Sequence, residues 1–284
     1  MYLAHWNLRL RPFRDAPDTR FFFHSSAHDA ALAELLYAID GSLAVALLTG
    51  PFGVGKTLVL RALLGGLSGA GGYRTGLLTN SLLGPAETVL AAARALGAGD
   101  LPERPAEVSE AHAQGRIEGQ LRALAAESVR PVLVIDDAQA MEAPAVWEAL
   151  RQMLSIPAGE GTAFTLILSG GPALLERVAL ATGFGERVGV CTALVPLSEE
   201  ESLDYILHRL ACAGAASGIF TRRAAEDIAG LAGGLPSRIN HLADLALGAA
   251  FGLGLKVISP EVVAMVAKES AAIWSGAEKE RPAV

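Results

Sequence analysis

Residues 50 to 57 read GPFGVGKT, between the apolar run LAVALLT and the segment LVLRALLGGL. Gly50, Gly55, Lys56 and Thr57 fit the spacing G-x-x-x-x-G-K-[ST]. In that pattern backbone N–H groups cradle phosphates, the lysine reaches the outer ones and the hydroxyl holds Mg²⁺. Glycine lets the backbone turn and approach an anion without a Cβ in the way, and Gly53 adds that freedom in mid-loop. A helix starting near Lys56 points its N-terminal dipole at the phosphates. Gly50, Pro51, Phe52, Gly53, Val54, Gly55, Lys56, Thr57 and Leu58 are therefore assigned to binding a phosphate-bearing cofactor, with Thr57 also on the metal.

The second informative stretch is PVLVIDDAQ, residues 131 to 139, where a short apolar run delivers two adjacent carboxylates at its end. This is a Walker B pattern. Asp136 is expected to hold Mg²⁺ through a second-shell water, and Asp137 to orient or polarise an attacking water. Two aspartates after a strand are by themselves more often a turn; the phosphate loop upstream favours the functional reading.

Positioning these groups requires strands and helices in alternation. Continuous apolar runs predict strands at 43–49, 131–135, 163–169 and 188–195, with a weaker one at 73–79, as parallel strands covered on both faces require. Helical spacing predicts helices at 25–40, 56–67, 85–96 and 109–127, so the fold class is α/β, a P-loop parallel sheet with helices on both faces. Beyond Pro196 the strand signals stop. Ser198 with Glu201 makes a capping box, and Thr221 and Ser259-Pro260 are further caps, so a small all-helical domain follows. The expected divisions are 1–42, an aromatic N-terminal segment and helix packing on the nucleotide domain; 43–196, the ATPase domain; 197–273, the helical lid; and 274–284, a disordered tail. Asn80, at a strand's C-terminal end, reads either as a residue near the ligand or as a turn residue.

The chain has 284 residues, 51% of them hydrophobic, which is enough for one large and one smaller domain. Its formal net charge of -7 and sequence pI of about 5.4 argue against nucleic acid as a partner at the level of the whole chain. The two cysteines, Cys191 and Cys212, lack metal-ligand spacing and read as small core residues of a reducing compartment. Neither a secretory signal nor a membrane span is legible, so a cytoplasmic protein is expected.

With both Walker elements, a helical second domain and GGLPSRIN at 233–240, the chain resembles the AAA+ ATPases. More narrowly it is similar to the ATPase modules of general secretion pathway protein A, through Pro12-Phe13, Pro17-Asp18, Phe21-Phe22, TGPFGVGKT, VIDDAQ, the Gly170 to Leu174 stretch and GGLPSRIN. The resemblance covers about residues 2 to 268. It implies ATP and Mg²⁺ as cofactors, the N-terminal segment and lid closing over the adenine, and a ring or dimer. It also implies a membrane or envelope protein as partner, which would bring the chain to the inner membrane peripherally. Arg187 stands where this family has Gln-Arg-Ile, which implies a finger reaching a neighbouring subunit's γ-phosphate.

Three positions depart from the family. Its Asp-Glu pair is Asp136-Asp137 here, one methylene shorter, and a displacement of ~1 Å at a water-positioning group costs about 10²-fold in rate. Its polar residue at the fourth strand's end is Gly171 here, with Ser169 the substitute at hand. Its Gly-Gly-x-Pro-Arg becomes Gly233-Gly234-Leu235-Pro236-Ser237. The arginine follows at Arg238, assigned to the nucleotide although one residue turns a helical side chain by about 100°. The leading expectation is a slow ATPase whose nucleotide state controls a cell-envelope machine. A nucleotide-gated scaffold and a DNA-binding ATPase regulating transposition are the alternatives.

Overall fold

The computed structural model describes residues 2–79, 82–99, 101, 109–157, 163–215 and 218–279. Asn80 and most of the polar 97–107 stretch lie outside them. The chain divides into two units: Ser26–Phe52 with Lys56–Val195, and Met1–Ser25 with Gly53–Gly55 and Pro196–Val284.

The first unit is a five-stranded sheet in the order β2-β3-β4-β1-β5. Its strands are β1 (Val45–Thr49), β2 (Tyr73–Leu78), β3 (Arg130–Ile135), β4 (Thr165–Gly170) and β5 (Val188–Ala193), and every pairing is parallel. Parallel strands need crossovers, supplied by α3 (Lys56–Ala70), α4 (Pro85–Ala95), α5 (Glu110–Ala126), α6 (Pro144–Met153) and α7 (Ala173–Leu180), while α2 (Ser26–Asp40) leads into β1. Because side chains alternate between faces, Leu47, Leu133 and Leu168 pack into one cluster with Val89, Ile117 and Leu150 of α4 to α6. Ala46, Leu48, Val134 and Ile167, on the alternate positions, are buried as completely. That double burial is why VALL of β1 and LIL of β4 read as apolar runs. β5, at the sheet edge, alternates instead, and its Cys191 is exposed.

The second unit is helical: α8 (Glu199–Cys212), α9 (Arg222–Ala232), α10 (Pro236–Gly252) and α11 (Pro260–Lys279). The predicted capping box is present, Ser198 Oγ accepting from Glu201 N and Glu201 Oε2 from Ser198 N, and Thr221 caps α9. α11 runs on to Lys279, past the expected end of the domain at 273, and residues 280–284 lie outside those described.

The stretch 1–42 is divided between the two units. α2 belongs to the sheet unit, whereas residues 1–25, including α1 (Tyr2–His5), belong to the helical unit. Trp6, Leu8, Phe13 and Phe21 enter the same apolar cluster as Ile206, Ile239 and Val263. A buried arginine on α8 completes the attachment: Arg209 Nε donates to Pro12 O at 2.5 Å, Nη2 to Arg14 O at 3.1 Å and Nη1 to Tyr205 Oη at 2.9 Å. Its guanidinium carbon lies 4.5 Å from the centre of the Phe21 ring. Cys212, half-buried at the end of α8, lies beside His208, and both cysteines are free thiols.

Candidate functional site

The loop after β1 turns through glycines in conformations closed to other residues. Gly53 has φ +79° and Gly55 φ +109°. Lys56 opens α3 and is only 8% exposed. Its Nζ donates to the loop carbonyls of Gly50 at 2.9 Å and Pro51 at 3.0 Å. Burial lowers its pKa, opposed by the charges of Asp137 and Asp136. A desolvated cation facing two carboxylates is a place where an additional anion finds an unscreened partner. Val54 is buried and anchors the loop, whereas Phe52 is 87% exposed.

Thr57, one residue into α3, donates its hydroxyl to Asp136 Oδ2 at 2.6 Å. Asp136 follows β3 two positions after Val134, so it shares that residue's face. This hydroxyl and carboxylate form a hard-oxygen donor pair that fits Mg²⁺. Among the described residues no group of three or more His, Cys, Asp or Glu could cage a metal. Mg²⁺ is the ion that suits such a sparse set, since it keeps most of its waters and takes phosphate oxygens.

Asp137 has φ 54° and ψ 37°, left-handed, and its N–H donates to Asp136 Oδ1 at 3.1 Å. Aspartate tolerates this region better than most residues, and such outliers gather where a side chain must be held in one place. Gln139, quoted in the motif but given no role by sequence reasoning, contacts Asp137: Nε2 donates to Oδ1 at 3.3 Å. Only its place two residues after Asp137 could have marked it. At the end of β4, nothing lies within 4 Å of where a Gly171 Cβ would stand. Ser169, the expected substitute, is fully buried one position beyond Leu168, and its Oγ has no hydrogen-bond partner.

The remaining assigned residues fall elsewhere. Arg187 precedes β5, whose first residue pairs with Val45 at the N-terminal end of β1, whereas the phosphate loop follows the C-terminal end. The guanidinium is held by Leu154 O at 3.3 Å and Ser155 Oγ at 2.9 Å. Arg187 is thus not part of its own chain's loop. In the helical unit, Ser237 N donates to Gly53 O at 3.1 Å, and a Cβ on Gly53 would stand 1.9 Å from Ser237 Oγ. Ser237 is therefore the residue that meets the loop tip, and Arg238 is half-buried one position on.

A buried lysine in a glycine loop, a threonine bonded to the carboxylate after β3 and a parallel sheet ordered with β1 between β4 and β5 define a P-loop protein with the AAA+ fold. The model of the AAA domain matches residues 41–178. It is 30% identical over 276 residues to general secretion pathway protein A of Aeromonas hydrophila, an alignment covering 96% of this chain and 49% of that protein. The chain thus spans about half the length of the curated relative it matches.

Among solved structures it is similar to Cdc6p from Pyrobaculum aerophilum, with TM-score 0.70, 20% identity, and 86% of this chain and 69% of that chain covered. The Aeropyrum pernix ORC2 protein, solved as ADPNP-ADP complexes, gives TM-score 0.67 and 16% identity, with coverage of 85% and 66%. Drosophila ORC bound to DNA gives TM-score 0.70 and 16% identity, with coverage of 93% and 65%. At such identities the likeness shows the fold alone. It lends no support to the expectation that nucleic acid is not a partner.

Proposed function

We propose that this chain binds Mg·ATP and hydrolyses it slowly, and that its nucleotide state controls the assembly or operation of a cell-envelope machine. One observation carries the reading: the buried Lys56 is held by the loop carbonyls of Gly50 and Pro51 beside a Thr57 bonded to Asp136. Bound ATP supplies the γ-phosphoryl group, and Mg²⁺ neutralises charge on its oxygens. The amides of Phe52 to Gly55 and the Lys56 ammonium bind the phosphates, Thr57 and Asp136 would hold the metal's ligand shell, and Asp137 orients a water and takes its proton. Arg187 of a neighbouring copy in a ring or dimer acts as the finger, and Arg238 contributes to the nucleotide from α10.

The envelope role rests on the similarity to general secretion pathway protein A. Among the described residues no helix is long and apolar enough to cross a membrane. We assign the chain to the cytoplasm, recruited to the inner membrane by a partner protein. The test is ATP affinity and steady-state turnover with Mg²⁺, for the wild type and Lys56→Ala. Lys56→Ala should lose binding or turnover; unchanged values would refute the reading.

A nucleotide-gated scaffold with little hydrolysis is the second reading, favoured by the shortened Asp137, the bare Gly171 and Ser237 at the loop tip. Asp137→Glu separates the two, because a large rise in turnover shows the remaining machinery to be competent and no change favours the scaffold. The similarity to Drosophila ORC bound to DNA motivates a third, a DNA-binding regulator. Duplex binding that weakens steeply with salt would support it.

A further inference from the structure

The C-terminal ends of β3 and β4 are joined by one side chain. Gln139 lies in the 3₁₀ turn Ala138–Ala140 that follows Asp137. Its Oε1 accepts the backbone N–H of Gly171 at 3.1 Å. A backbone N–H is only a donor, so the amide oxygen must face it. The NH₂ group is then fixed on the other side, where Asp137 Oδ1 accepts at 3.3 Å. Flipping the amide would set donor against donor at Gly171 and oxygen against carboxylate at Asp137.

The space for this amide is made by a missing side chain. A Cβ on Gly170 would stand 2.5 Å from Gln139 Oε1 and 3.1 Å from Leu174 Cβ. Gly171 likewise presents no side chain, so the end of β4 offers a backbone amide as its polar group. Asp137 is restrained from the other direction too, through its left-handed backbone and its N–H bond to Asp136.

We propose that Gln139 is the positioning residue for Asp137. It carries a polar contact from the end of β4 to the carboxylate and sets the direction in which that carboxylate accepts. The assignment rests on the hydrolytic reading of Asp137 above. Gln139 itself stays out of the proton transfer, and its NH₂ group occupies one lone-pair direction of Oδ1.

Two substitutions in the full chain test this. Gln139→Glu keeps an acceptor for the Gly171 N–H but turns a second carboxylate on Asp137, whereas Gln139→Met removes both contacts at similar length. Three quantities are measured: kcat for ATP, the Kd of a non-hydrolysable ATP analogue, and the thermal midpoint. Both variants should lose about 10- to 100-fold in kcat, the range that misplacing a catalytic group by about 1 Å produces, with analogue Kd within about twofold of wild type. Gln139→Met, which adds no charge beside Asp137, should also keep a midpoint near the wild-type value.

Wild-type kcat in Gln139→Glu would overturn the proposal and leave Gln139 as a tie between two turns. A fall in kcat matched by an equal loss of affinity or of thermal midpoint would overturn it as well, as the mark of general disruption. A wild type no more active than Asp137→Asn overturns the hydrolytic reading, and this role with it. The two failures are therefore distinguishable.

Discussion

Replacing Arg209 by methionine should release the N-terminal segment from the helical unit while leaving the sheet unit intact. The guanidinium is 3% exposed, makes no ion pair among the described residues, and spends two of its hydrogen bonds on the carbonyls of Pro12 and Arg14. Hydrogen bonds to a charged group are worth about 1.5–3 kcal/mol each. Against two of these stands the desolvation of the cation, which the substitution also removes. Methionine keeps much of the stem's packing, so the net local loss is about 2–3 kcal/mol. At 1.4 kcal/mol per tenfold, opening of residues 9–20 becomes roughly 30- to 150-fold more frequent.

Limited trypsin digestion reads that opening directly, because the cleavable Arg9, Arg14 and Arg20 all lie in the segment, and cleavage of a locally opened chain follows the population of the open form. Mass spectrometry of the first fragments gives the rate at each arginine. Cleavage there accelerated by less than about threefold would refute the view that Arg209 is the main tether. An equal acceleration at Arg61 or Arg122 would show global unfolding instead.

Three further outcomes are expected. Gly53→Ala should weaken ATP binding at least about tenfold, because φ is +79° and the new Cβ would overlap Ser237 Oγ. Adding Ser237→Gly removes the overlap but not the left-handed cost of about 1–2 kcal/mol, so titration calorimetry should show partial recovery. Ser169→Ala removes a fully buried hydroxyl with no partner and should leave thermal stability unchanged or raise it by about 1 kcal/mol; a clear loss would reveal a bond the hydroxyl makes. Tyr2 is pushed up to about 12 by burial and then by its hydrogen bond to Asp244. The fold therefore favours the neutral phenol. Its stabilisation is complete below the unfolded pKa near 10 and is lost as pH rises from there through 12. Tyr2 is half-buried, so the effect should fall well short of the ~2.7 kcal/mol that two pH units represent. Denaturant midpoints from pH 9 to 12 should fall less in Tyr2→Phe than in wild type.

The sheet was legible because parallel strands buried on both faces must be largely apolar, as VALL of β1 and LIL of β4 are. The loop was legible because phosphate chemistry dictates residue types at fixed spacing. Caps at Ser198 and Thr221 were readable for a similar local reason. What escaped the sequence depends on contacts between distant segments. The aromatic residues before Ser25 announce that the segment packs down, but nothing in their types says on which unit. Arg209 occupies an ordinary helical position, and only the carbonyls of Pro12 and Arg14 arriving from 195 or more positions away reveal it as a tether. Gln139 is two residues from Asp137 in sequence, yet its second contact comes from the neighbouring strand's end. Ser237 looked like a lost arginine until its N–H was found on Gly53 O.

Cys191 sits on the edge strand of the sheet unit, and Cys212 closes α8 in the helical unit. Nature has thereby given the chain one native thiol in each of its two bodies. Burial pushes the Cys191 thiol up, with Glu34 adding to the effect, so its attachment chemistry calls for mildly alkaline buffer. A donor and an acceptor dye placed on these two sulfurs would make the unaltered sequence its own molecular ruler. Energy transfer between them, followed while nucleotide is added, would report relative motion of the two bodies in real time without an engineered label site.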